Sequence, residues 1–203
     1  MMDAREEIEI ESEEMEDHAP PAAAKSYICM WENSLPADFC EETISLFEDS
    51  EFPQRLDEEN FGCFEMDMLD PNILESLPRW KEVSYFVMQR LQRYSELYRQ
   101  FYDIAFFPAE AINENLIMRK YLPKDEVGYH SHTMLPADHK RFLSINFFLN
   151  DTEHGQYTLP DYNIGIESRL GRVLIHPSYW THPSQITSSE SPRYVISTFL
   201  RYR

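Results

Sequence analysis

Six of the seven histidines fall between His130 and His182: His130, His132, His139, His154, His176 and His182. His130 and His132 are two positions apart, so on a strand their side chains leave the same face and can converge on one point inside a barrel. His182 follows fifty residues later, on a stretch that a folded-back sheet can bring alongside. Imidazole is a good ligand for Fe(II), and three protein ligands on one face leave positions open for substrate and oxygen. Eleven positions after His182 comes Arg193, behind the polar loop Thr187–Pro192. A guanidinium facing into a barrel needs an anionic partner. A dicarboxylic acid chelating the metal at its other end would supply one, gripped in bidentate fashion. The plainer reading of Arg193 alone is a surface residue paired with Glu190. His139 and His154 lie in polar turns and read as solvated, and His176 reads as a hydrogen-bonded structural histidine.

Positioning these groups requires a sheet, and the sequence has its pattern. After Ala111 short runs rich in β-branched and aromatic residues alternate with turns. They place strands near 115–122, 126–132, 141–149, 156–159, 165–167, 172–175, 181–186 and 193–202. Before them stand two helical patterns. One runs from Pro36 to Asp49 with Phe39, Ile44 and Phe47 inward, Pro36 suiting the first turn because its missing N–H is not needed there. The other runs from Trp80 to Tyr102, with Val83, Val87, Tyr94, Leu97, Tyr98 and Phe101 recurring at helical spacing. Its aromatic stripe is a packing surface for a sheet. The reading is an α+β, mainly β fold: a jelly roll (double-stranded β-helix) with supporting N-terminal helices. Residues 26–203 form one domain, with helical support over 36–106 and the β-helix core over 114–203.

Composition narrows the classes. At 203 residues with 42% hydrophobic content, the chain can bury a real core. A net charge of −18 argues against binding a phosphate backbone. Nine acidic residues crowd the first eighteen positions against Arg5 alone, and the remainder is still acidic. Residues 1–25 read as an acidic flexible tail and linker, or as an interaction arm built on Ile8 and Ile10. No apolar run is long enough to span a membrane, and the N-terminus lacks a signal-peptide pattern. Cys29, Cys40 and Cys63 are scattered without a CxxC pair, as reduced thiols of a cytoplasmic protein would be. The partner is then a small molecule or peptide, with no nucleic acid or membrane.

The order of features resembles the prolyl 4-hydroxylase-like branch of the Fe(II)/2-oxoglutarate oxygenases. The resemblance is carried by LPADFCEETISLF, IMRKYLPKDEVGYHSH, RFLSINFFLND, HGQYTLP and above all GRVLIHPSYWTHPSQITSSESPRYVISTFLRY, together covering nearly everything from Tyr27 onward. It implies a double-stranded β-helix, with Fe(II), 2-oxoglutarate and O2 as requirements and ascorbate in addition, and succinate and CO2 as coproducts. It implies Arg193 on the distal carboxylate and Tyr121 in the cosubstrate pocket. The chain departs from the family at the first ligand pair, where a His-x-Asp or His-x-Glu is usual. Tyr129-His130-Ser131-His132-Thr133-Met134 allows two registers. In one, His130, His132 and His182 form a three-histidine site. In the other, His132 is the first ligand and Met134 takes the place of the acid, with Asp138, water or halide in the vacant position. A thioether is a poor Fe(II) ligand, which favours the first. Two further readings remain: a three-histidine dioxygenase that does not use 2-oxoglutarate, and a non-catalytic jelly-roll binding module with a degenerate metal site.

Overall fold

The computed structural model describes residues 26–58, 61–108 and 110–203, so the segment read as a tail, 1–25, lies outside it. The first strand, β1 (Cys29–Trp31), leads into helix α1 (Ala37–Glu48). A hairpin follows, β2 (Gln54–Glu58) and β3 (Phe61–Asp67), then the short helix α2 (Pro71–Ser76) and the long helix α3 (Pro78–Phe101). The rest is strand: β4 (Ile112–Asn113), β5 (Ile117–Tyr121), β6 (Val127–His130), β7 (Arg141–Phe148) and β8 (Gln156–Leu159). It closes with β9 (Ile164–Glu167), β10 (Val173–Pro177), β11 (Ser184–Ile186) and β12 (Arg193–Arg201).

Every pairing is antiparallel, in the order β1-β10-β7-β12-β5-β3-β6-β11-β8-β9. The order divides into a larger layer (β1, β10, β7, β12, β5, β3) and a smaller one (β6, β11, β8, β9). Among the described residues the strand ladder between them is one residue pair, Phe61↔Val127, and other hydrogen bonds, Tyr157 to His176 among them, also cross between the layers. This is a double-stranded β-helix with helices against one side.

The helices cover the outer face of the larger layer. Along α3, Trp80, Val83, Val87, Leu91, Tyr94 and Tyr98 are buried at three- and four-residue spacing. They join Phe47 of α1 and Leu143, Ile145, Phe147, Val173, Ile175 and Ile196 of the sheet in one core. Phe101, read as part of that face, is exposed, because the helix ends there. Pro36 stands one residue before α1 as its cap, and α3 starts two residues earlier than its apolar period, at Pro78. The stretch 36–106 is not purely helical: β2 and β3 extend the larger layer through β5, and Gln54–Asp67 carries too many charges to show a clean strand alternation. Cys29, Cys40 and Cys63 are free and buried, and burial pushes each thiol up to about 12.

Leu91 is fully buried where α3 meets the sheet. Leu91→Ala should lower unfolding stability by about 2–5 kcal/mol, from lost transfer energy plus a cavity, read as a shift in the urea midpoint.

Candidate dicarboxylate pocket and histidine cluster

Strand alternation builds the site. On β7, Leu143, Ile145 and Phe147 face the helix-covered core, so Ser144, Asn146 and Phe148 face the barrel interior. On β12, Tyr194 and Ile196 face the core, leaving Arg193, Val195, Ser197 and Phe199 inside. On β5, Met118 goes outward while Arg119 and Tyr121 go in. The smaller layer adds His130, Tyr157, Ser184 and Ile186, and His132 reaches in from the turn after β6. Together they enclose a cavity of about 200 Å³, with three arginines, Arg119, Arg141 and Arg193, and no carboxylate among its lining residues.

Arg193 is the most constrained of these groups. It is 1% exposed, its Nε has no hydrogen-bond partner, and Nη2 donates only a long bond, 3.4 Å, to the Thr187 carbonyl. Burial pulls its guanidinium below the ordinary value, with Tyr121 opposing. Tyr121 lies directly across from it in register and is itself buried, its hydroxyl pushed up by burial. Gly155 closes the other side. Its φ is +69°, and a Cβ there would lie 2.6 Å from Arg193 Nη2. Glu190 belongs to a separate surface contact with His154, at 3.7 Å. A buried cation with spare donors and no anion beside it carries a desolvation cost that an anion would offset.

The histidines are arranged differently from the sequence reading. β6 ends at His130, so His132 is in a turn, and the two rings meet edge to face with centroids 4.7 Å apart. His182 is not with them. The expected strand 181–186 begins only at Ser184, and His182 sits in the preceding turn, stacked on Tyr162 at 4.6 Å. Met134, the other register's substitute for the acid, is 71% exposed, and Asp138 is paired with Arg141 at 2.9 Å. The residue across from His130 is Ser184, whose Oγ lies 3.2 Å from His132 Nε2. His176, fully buried, is hydrogen-bonded as expected, and through Tyr157 it links to His132.

Hydrogen-bond partners fix which ring nitrogens hold protons, because a carbonyl can only accept. His176 Nδ1 donates to the Pro177 carbonyl at 2.7 Å, so its Nε2 accepts from the Tyr157 hydroxyl at 2.8 Å. The one proton of Tyr157 is then committed, and His132 Nε2 stands between two hydroxyls, donating to Tyr157 at 3.3 Å in one tautomer and accepting from Ser184 at 3.2 Å in the other. His182 Nε2 donates to the Ser26 carbonyl at 2.7 Å and Nδ1 accepts from Thr181 at 2.9 Å, so both nitrogens are occupied. His130 Nδ1 donates to Gly128 at 2.8 Å, leaving its Nε2 lone pair facing the cavity.

An iron centre needs several such lone pairs on one point. Among the described residues no three His, Cys, Asp or Glu side chains come together as a metal cage. His130 and His132 stand together while His182 is held at Ser26 and Tyr162, so the three expected ligands do not form such a cage in this structure.

Arg119, Tyr157 and Ser184 were not singled out from sequence. Arg119 had a signal, standing two positions from Tyr121 on one strand and so on the same face. Tyr157 and Ser184 had none, since only the return of β8 and β11 brings them to His132.

No protein-family model matches the chain, and no curated protein matches it in sequence. Solved structures do match. The collagen prolyl hydroxylase of Paramecium bursaria Chlorella virus-1, in complex with 2-oxoglutarate, superposes with a TM-score of 0.66 at 12% identity, covering 88% of this chain and 98% of that one. The prolyl hydroxylase of Trichoplax adhaerens, in complex with a peptide of the hypoxia-inducible factor oxygen degradation domain, gives 0.66 at 12%, covering 87% and 84%. A prolyl 4-hydroxylase of Pseudomonas putida gives 0.58 at 16%, covering 88% and 94%. The fold is thus the double-stranded β-helix of the prolyl hydroxylase-like 2-oxoglutarate oxygenases. What those proteins share with this chain at such identities is architecture, and the chemistry rests on the residues above.

Burial pulls the His176 pKa from 6.5 down to about 3, with nearby His182 and His130 acting the same way and the Pro177 carbonyl opposing. The unfolded chain takes up this proton below about pH 6.5 and the folded chain does not. Its stabilising contribution is therefore complete above that pH and is lost as pH falls toward 3. Urea midpoints at about pH 7 and about pH 4.5 should differ less in His176→Gln than in the parent.

Proposed function

We propose that the barrel cavity is a 2-oxoglutarate pocket of the oxygenase kind, the dicarboxylate being held at Arg193 beside Tyr121. In this reading the chain oxidises a C–H bond of a peptide or small molecule that enters the same mouth. Its requirements are those of the proteins that share the fold, Fe(II), 2-oxoglutarate and O2. The observation that carries the reading is the buried, anion-free Arg193 facing a carboxylate-free cavity. Its guanidinium cannot shed its charge at physiological pH, so the cost of burying it is offset only when an anion arrives. Phe148 and Val195 offer apolar wall to a methylene chain between carboxylates. The buried, unpaired cysteines support a reducing, cytoplasmic setting.

The histidine arrangement favours a second reading, in which the same dicarboxylate is bound but not turned over. Of the four clustered or expected imidazoles, His132, His176 and His182 each have Nε2 engaged in a hydrogen bond. The two readings share the pocket and differ in the product.

Calorimetric titration with 2-oxoglutarate should show binding that weakens about tenfold or more in Arg193→Ala, as expected for loss of a charge-assisted bidentate contact. Succinate release, measured with Fe(II) in air, with and without ascorbate, separates the readings. Succinate supports the oxygenase, while binding without succinate supports the binding module. No binding to the parent protein defeats both.

A further inference from the structure

We propose that the cavity grips its dicarboxylate at both ends with protein cations, Arg193 on one carboxylate and Arg119 on the other, so that binding requires neither a metal nor the 2-oxo group. The inference rests on the dicarboxylate reading above and says how that ligand is held.

Register sets the spacing. Arg193 pairs with Tyr121 and Val195 with Arg119, so the two arginines lie on one inward face, offset by two residues along neighbouring strands. Diagonal neighbours of this kind lie about 7–8 Å apart, within reach of long side chains, so one five-carbon diacid can meet both. Tyr121 is across from Arg193 and two residues from Arg119 on that same face, and Asn146 and Ser197, already bonded to each other at 2.9 Å, continue the same wall.

The three arginines of the cavity are not equally free. Arg141 is spent: Nε and Nη2 hold Glu114, Nη1 holds Asp138 and the His132 carbonyl, and its plane lies over Phe199 at 4.2 Å. Arg119 commits only Nε, to Glu65 at 3.1 Å, and its terminal nitrogens make no hydrogen bond among the described residues. Those are the donors that a carboxylate takes in bidentate fashion. The Arg119 charge also acts on Tyr121, His130, His132 and Tyr157, which places it amid the cavity's polar groups. A metal chelated by a keto acid would instead draw on histidine lone pairs, and in this structure Nε2 of His132, His176 and His182 each stands in a hydrogen bond.

The test is calorimetric titration of the chelator-stripped full chain with 2-oxoglutarate, with glutarate, which lacks the keto group, and with butyrate, which lacks one carboxylate. Each is run in EDTA and in Mn(II). The two diacids should bind within about threefold of each other, unchanged by EDTA or Mn(II), and butyrate at least about tenfold more weakly. Arg119→Gln should lose about tenfold or more, and Arg119→Lys should recover part of it. Glu65→Gln breaks the same surface pair without removing the cation and should keep the affinity, so a loss seen only in Arg119→Gln is not a folding defect. Binding that needs both Mn(II) and the keto group, or an Arg119→Gln protein that binds like the parent, overturns the clamp while leaving the dicarboxylate pocket standing. A parent protein that binds neither diacid under any condition removes the pocket itself.

Discussion

Everything at this site depends on two strands being buried on both faces. β7 and β12 lie side by side at the middle of the larger layer, with helices on one side and the cavity on the other. Period-two alternation then sorts their residues without further instruction, apolar toward the helices, and Ser144, Asn146, Ser197 and Arg193 toward the cavity. A buried strand of this kind can carry polar groups only if they find partners. Ser197 and Asn146 bond each other, and Asn146 bonds Ser144. Arg193 Nε is left without one, and that asymmetry is the physical ground for the dicarboxylate proposal.

The core strands were legible from sequence because each is short, apolar and bounded by turns. The eight predicted runs correspond to β5 through β12, several ending a few residues inside the expected limits. α3 was legible from its long apolar period. The hairpin of β2 and β3 was not. Gln54-Arg55-Leu56-Asp57 has one apolar residue in four, and its pairing with β3 depends on cross-strand contacts that no local pattern announces. Arg193 was legible as an inward cation, since it opens the last strand behind a polar loop.

The histidines show where residue type and spacing stop being informative. His130 and His132 do reach the cavity, as their proximity to a strand suggested. His182 lies two residues too early: its turn ends at Ser184, and that offset sends its ring to Ser26 and Tyr162. A two-residue displacement at a strand end would keep the facing of a side chain if the strand continued, but a turn destroys that rule. What the imidazoles do is then decided by carbonyls at Gly128, Pro177 and Ser26, none of which a sequence pattern identifies as partners.

Among the described residues, the strand ladder that joins the two layers is the one pair Phe61 with Val127. Both arginines with donors to spare belong to the larger layer, on β5 and β12, whereas His130, Tyr157 and Ser184 belong to the smaller one. The cavity is therefore a joint property of two halves that own different chemistry. The β5–β12 ladder holds the two arginines in register with each other, whereas the histidine side is held to them across the seam by side chains, Tyr157 on His176 at 2.8 Å, more than by backbone pairing. The spacing of the cations is thus a backbone property of this barrel, and the placing of the imidazoles against them a side-chain one.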